Sequence, residues 1–212
     1  MSNEITRSKV VHALDWAYDK AIYGAPGMDS AEKLACDYLQ LEGSLVERVD
    51  CLIRWQTAKA ATSGFVNGLG GFMLMPITLP ANITSVMYIQ VRMIAAIAHM
   101  GGHDLRDDRV KTLVIACLCG NAAKDIVKEI GIQVGTRLTA QAIDKISSQA
   151  ILRVNETVGF RLLAKFGQSG TVNLSKVVPL VGGVIGAAFD STSTRIVGVV
   201  SRDTFIVDSG LR

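Results

Sequence analysis

Residues 82–102, NITSVMYIQVRMIAAIAHMGG, read as a helix with a start, a body and a stop. Asn82 carries a side chain suited to accept a hydrogen bond from the first free amides of a helix, and Gly101 with Gly102 marks an end. At about 100° per residue, Ser85, Tyr88, Arg92 and His99 fall within about 40° of one line. Ile83, Val86, Met87, Ile94 and Ile97 occupy the opposite side, with Gln90 alone among them. A helix this apolar belongs at the centre of a fold.

Upstream the same character deepens, for the charges nearest to this region are Lys59 and Arg92 and every position from 60 to 91 is uncharged. A membrane-spanning helix needs about 20 predominantly apolar residues. This stretch contains Asn67, Thr78, Asn82, Thr84 and Ser85, two prolines (Pro76 and Pro80) and closely spaced glycines. Broken backbone is tolerated at membrane depth only where protein buries it or it lines a cavity, so a straight span is disfavoured. Two readings stand. The stretch is a buried central element of a helical core, or it lies on the bilayer interface with Phe72, Met73, Leu74, Met75 and Pro76 touching membrane or partner.

The remaining pattern is helical nearly throughout. KVVHALDWAYDKAI places Val10, Val11, Leu14, Ala17, Ala21 and Ile22 at helical spacing, and GAPG at 24–27 ends the segment. Asp29 with Glu32 predicts a capped helix ending near Gly43, and Ser44 with Glu47 opens a third towards Thr62. Asp104 is expected to cap a helix running to about Ile130. One or two helices follow from Val134 to Phe166, then a loop GQSGTVNLS, then a last apolar helix from Pro179 to about Ser201. No pair of β-branched runs with hairpin turns occurs, so the expected fold is all-α, a single domain over 1–212.

Composition narrows the function. Hydrophobic residues make up 49% of the 212 and charged ones only 19%, against a usual quarter. Mean hydropathy is +0.33, so much apolar surface must be buried in the core, against a partner, in lipid or against a second copy of the chain. Basic residues exceed acidic ones only from Asp107 onward, thirteen to nine, a bias that suits an anionic membrane surface. No dense Lys/Arg run is present and aromatics are 6%, which argues against nucleic acid. MSNEITRSKVV has no apolar signal segment, and Cys36, Cys51, Cys117 and Cys119 lack metal or redox spacing. They read as small buried hydrophobes in a reducing compartment, so the expected address is the cytoplasm, peripheral to the inner face of the membrane.

Chemical motifs are sparse. GLGGFM has Met73 where a dinucleotide loop needs its third glycine, and neither GFVNGLGG nor GQSGT contains the Gly-Lys-Ser/Thr of a phosphate loop. SAEK at 30–33 matches SxxK without the companion motifs of that chemistry. His99 and His103 have metal-ligand spacing but Gly101 and Gly102 break the helix between them; with Asp104 they are the weak metal candidates, and no cofactor is expected. In the last helix Gly183, Gly186, Asp190, Thr194 and Ser201 share one narrow face, and Asp190 is the only acid between Glu156 and Asp203. An Arg92–Asp190 pair between the two most apolar helices would bury both charges together, since either alone is costly. The candidate ligand-binding set is Arg92, Gln90, Tyr88, Asp190 and Thr194.

The segments SGFVNGLGGFMLMPITLPANITSVMYIQVRMIAAIAHMGGHDLRDDRVKTLVIACLCGNAAKDI and VGFRLLAKFGQSG…NLSKVVPLVGGVIGAAFDSTSTRIVG resemble the EcsC protein family, and ALDWAYDKAIYGAPGMDSAEKLA is similar to it as well. The resemblance implies a bacterial, helical protein, of a family whose namesake is encoded beside an ABC transporter. It supplies no catalytic residues. The GLGGF…P…P…QxR segment is also similar to the hydrophobic helical region of certain membrane-associated GTPases. Together these readings imply a non-enzymatic cytoplasmic protein associating with membrane lipid or a membrane protein complex. The alternatives are a binding module for an acyl chain or other apolar ligand, beside Met73, Met75, Met87 and Met93 with Arg92 at its mouth, and a metal-dependent hydrolase built on His99, His103 and Asp104.

Overall fold

The computed structural model describes residues 6–25, 27–61, 81–129, 140–171 and 179–206, and helices dominate it. Helix α1, Arg7–Tyr23, begins where the Thr6 hydroxyl accepts the Lys9 amide at 3.4 Å. Helix α2, Ala31–Leu39, is capped by Ser30, whose hydroxyl accepts the Lys33 amide at 3.1 Å. The cap therefore sits one residue beyond the expected Asp29, and the helix stops four residues short of Gly43. Helix α3, Leu45–Ala61, opens with the expected reciprocal box: the Ser44 amide donates to Glu47 Oε2 at 2.7 Å and the Glu47 amide to Ser44 Oγ at 3.3 Å.

Helix α4, Ala81–Met100, is the helix read at 82–102, begun one residue earlier. The next segment departs from expectation. Helix α5, Asp108–Cys117, is capped by Asp107, which accepts the Arg109 amide at 2.8 Å, while Asp104 instead accepts the Arg106 amide in the preceding turn at 2.9 Å. Nor does it run to Ile130. A 3₁₀ turn at Gly120–Ala122 interrupts it before helix α6, Ala123–Glu129, because Gly120 adopts a φ of 59° in contact with the last helix. Helix α7, Ala140–Asp144, and helix α8, Ser148–Thr171, follow. α8 continues through Gly167 and Gly170, where a loop was expected. Helix α9 starts at Pro179 as predicted and runs to Phe205. Among the described residues there is no strand, only an isolated bridge between Ala25 and Met28. The fold is all-α.

α4 lies at the centre, touching α1, α2, α3, α5 and α9. Met87, Val91, Met93, Ile94, Ala95, Ala96, Ile97 and Ala98 are each fully buried in one hydrophobic cluster that reaches from α1 to α9. Burying a large apolar side chain contributes about 1.5–3 kcal/mol, so this one helix organises much of the core. The contacts fix directions. Arg202 pairs with Asp50 at 2.7 Å, and Gly198 lies against Ile53, so α9 runs antiparallel to α3. Gln90 bonds Thr194 while Gly101 lies against Phe205, so α9 runs parallel to α4. The expectation that all four cysteines are buried fails at Cys36, which is exposed; Cys117 is fully buried and burial pushes its thiol up to about 12.

The end of α9 docks on the end of α4 through a glycine. A Cβ at Gly101 would stand 2.4 Å from the Phe205 carbonyl oxygen, a backbone atom that cannot swing aside. Gly101→Ala is expected to cost about 1–3 kcal/mol as overpacking, lowering Tm by roughly 2–4 °C per kcal/mol in a chain of this size. A thermal melt by circular dichroism checks it, and an unshifted Tm would mean that the two helix ends do not meet this closely.

Candidate functional site

Tyr88 and Arg92 are one helical turn apart on α4 and share a face, whereas Gln90 lies two residues from each, about 200° round the axis. That geometry divides the expected ligand-binding set in two. Gln90 is fully buried and faces α9, its Nε2 donating to Thr194 Oγ1 at 3.1 Å and to Ser193 Oγ at 3.3 Å. Tyr88 and Arg92 face α1 and α2. The Tyr88 ring meets that of Trp16 at 6.1 Å, and the groups acting electrostatically on Arg92 are Tyr88, Asp29, Asp37 and Tyr38.

The expected Arg92–Asp190 pair is not formed: no ion pair of the described residues joins them. The reason is rotational. Gln90 is the α4 side chain aimed at α9, so Arg92 must point away from it. Asp190 is half-buried on α9, one turn before Thr194. The interface between the two apolar helices is therefore bridged by an amide and two hydroxyls, which escape the much larger cost of desolvating a charge.

Gln56, Thr57 and Ser193 belong beside Gln90 and were not singled out from sequence. One turn on from Ile53 is Thr57, and one turn back from Gly198 is Thr194, so the antiparallel register brings α3 to the same level. Gln56 is 3% exposed; its Nε2, Thr57 Oγ1 and Gln90 Oε1 are shielded from solvent without a hydrogen-bond partner. The signal for Gln56 was present, since Val49, Leu52, Ile53 and Gln56 follow helical spacing and all four are buried.

Arg92 is half-buried, and its Nε is shielded without a hydrogen-bond partner. Burial draws its guanidinium below the usual value, against the opposing pull of Tyr88, Asp29, Asp37 and Tyr38. Nearby, a cleft of about 520 Å³ is lined by Leu41, Gly43, Glu47, Arg48, Cys51 and Arg54 among others. Its lining carries three acids, Glu42, Glu47 and Asp50, against two bases, Arg48 and Arg54, so acid and base are interspersed with one acid in excess.

The metal candidates do not converge. Among the described residues no three His, Cys, Asp or Glu side chains are placed to hold one ion. His103 is buried, its ring 5.4 Å from that of Phe205 and hydrogen-bonded to the Phe205 backbone. Asp104 is occupied in its turn. Met87 and Met93 are core residues, both fully buried. Met73 and Met75, with Phe72, Leu74 and Pro76, lie outside the described residues. No helix among the described residues is long and apolar enough to cross a membrane.

The EcsC protein family model matches residues 8–206, from the first turn of α1 to the end of α9. The chain belongs to the EcsC protein family. No curated protein and no solved structure gives a match. The match takes in α3, α4 and α9, the helices of this EcsC chain that carry the polar layer around Gln90.

His103 generates a pH prediction. Burial holds its imidazole below the ordinary value of 6.5, outweighing the Phe205 backbone hydrogen bond that acts the other way. Its Nε2 is shielded without a partner, so a second proton there would meet no acceptor. With the folded value below the unfolded one, the unfolded chain binds the proton first as pH falls. The associated stability is whole above about 6.5 and lost below it, down to the folded value. Wild-type Tm is expected to drop on acidification through this range more steeply than that of His103→Gln; parallel slopes would remove His103 from the account.

Proposed function

We propose that this EcsC-family chain works by binding rather than catalysis, docking as a peripheral protein on an anionic membrane surface. The observation that carries the reading is the convergence of its uncharged segments on one pole of the bundle. α3 runs antiparallel to α4 and α9, so the end of α3 at Ala61, the start of α4 at Ala81 and the start of α9 at Pro179 point the same way. The sequence between those ends of α3 and α4, residues 62 to 80, carries no charge. At 1.5 Å per residue, α4 extends roughly 13 Å, and α9 roughly 22 Å, beyond the layer of Gln90 and Thr194 without a charge other than Asp190.

Behind this pole stands a different surface. Trp55 is 59% exposed on α3, flanked by exposed Arg54 and Lys59. An indole with cationic neighbours suits the boundary between headgroups and acyl chains, where its ring is amphipathic and basic side chains meet anionic lipid.

Flotation with phosphatidylglycerol vesicles tests the reading. The wild-type chain is expected to float at low salt and to be released by high salt, whose short screening length weakens surface attraction. Replacing both Arg54 and Lys59 by glutamine should weaken binding roughly tenfold to thirtyfold, at about 1 kcal/mol per basic residue near the surface. A wild-type chain wholly soluble at low salt would overturn it. Retention only on vesicles carrying membrane proteins would transfer the reading to a protein partner.

A further inference from the structure

Three helices meet at one level of the bundle and bring neutral polar side chains with them. A Cβ at Gly198 would stand 2.8 Å from Ile53 Cγ2, so α3 packs directly on the α9 backbone there. One turn further along, in this antiparallel register, Thr57 is level with Thr194. α4 enters the same level through Gln90, whose Nε2 donates to Thr194 Oγ1 at 3.1 Å and to Ser193 Oγ at 3.3 Å. α3 and α4 are also in contact with each other. Viewed down α3 at about 100° per residue, Gln56 falls between Leu52 and Ile53, in the middle of the face that this helix buries.

The layer is sealed. Gln56, Gln90 and Thr194 are buried, and one turn away from them stand the buried apolar residues Leu52, Met87, Ile94 and Val197. Three polar atoms at this level are shielded from solvent and have no hydrogen-bond partner among the described residues: Gln56 Nε2, Thr57 Oγ1 and Gln90 Oε1. Unpartnered, they would weigh heavily against the small net stability of a domain. Their chemistry is complementary, for one is an amide donor, one a carbonyl acceptor and one a hydroxyl that does either. None of these side chains is charged, so nothing in the layer favours an ion over a neutral molecule.

We propose that the α3–α4–α9 layer binds one internal water molecule. Its oxygen accepts a hydrogen bond from Gln56 Nε2, one of its O–H groups donates to Gln90 Oε1, and the other donates to Thr57 Oγ1. Three bonds to otherwise unsatisfied groups are the usual complement of a buried water. The molecule joins Gln56 on α3 to Gln90 on α4, and the Gln90 amide continues the chain to Thr194 on α9. One hydrogen-bonded path thus runs through three helices whose other contacts at this level are apolar. Its role is positional: apolar packing tolerates small rotations of α3 about its axis, whereas a bonded water holds Gln56 and Thr57 in one orientation.

The test uses the full chain as wild type, Gln56→Met, Thr57→Val and the two combined, all close in volume to the original side chains and all leaving the Gln90–Thr194 bond in place. Oxygen-17 relaxation dispersion counts water held longer than the molecule tumbles and does not see hydroxyl protons. Wild type is expected to hold one more such water than the double variant. Each single variant should lower Tm by roughly 2–4 °C, because it strands the groups that shared the water. The double variant should fall by less than the sum, since both changes remove the same molecule. Equal water counts in wild type and double variant would overturn the proposal, and would assign any loss of Tm to a direct bond between Gln56 and Gln90. A Tm raised by Gln56→Met or by Thr57→Val would overturn it too, as the mark of a lone buried group taken away. Should the double variant not fold, wild type alone decides: a chain without any long-lived water does not contain this site.

Discussion

The fold depends on surrounding α4 on every side. A helix whose only full charge is Arg92 has no face suited to water, and five helices close around it. Its own backbone hydrogen bonds are satisfied within the helix, so neighbours need only supply apolar surface and shape. They do so with helices that are themselves weakly amphipathic, and the tightest approaches fall where glycine replaces a side chain, at Gly198 against Ile53 and at Gly101 against Phe205. A larger residue at either place would separate helices that must touch to exclude water.

Burial of this completeness makes each polar group on α4 informative. Gln90 and Arg92 are two residues apart and meet opposite solutions. The amide enters a layer of other neutral groups from α3 and α9, where donors and acceptors are mixed. The guanidinium turns towards α2 instead, with its Nε shielded from solvent and without a hydrogen-bond partner. A neutral amide can be accommodated at small net cost, whereas a charge without an acceptor remains expensive. The ionic contacts that do form lie at the periphery: Arg202 with Asp50 and Asp203, Lys111 with Asp15, Arg109 with Asp144. Such exposed pairs contribute little to stability and here serve mainly to set register.

The bundle is also polarised along its length. The Asp50–Arg202 end carries charge, and at the opposite end α3 finishes and α4 and α9 begin, the sequence between α3 and α4 being uncharged from 60 to 80. Membership of the EcsC family covers both ends and every helix between them. The polarity follows from topology. Antiparallel α3 delivers one uncharged segment to the pole at which parallel α4 and α9 start.

The helices themselves were legible in the sequence, because their signals are local. The Ser44–Glu47 box, the glycines after Met100 and Pro179 at the head of α9 act within one turn of chain, and the structure uses all three as read. Caps with competing neighbours were less secure: Ser30 took the place of Asp29, and Asp107 that of Asp104, since a shift of one or three residues leaves the sequence pattern nearly unchanged. The break at Gly120 could not be read, for it answers to Ile196 some seventy-six residues away. The same limit governs the site. Periodicity placed Tyr88 and Arg92 on one side of α4 and Gln90 on the other, but a helical wheel has no outside reference, so it could not say which side faces α9. Only the packing of α9 on Gln90 fixed that rotation, and in doing so it parted Arg92 from Asp190 and left the guanidinium against α2.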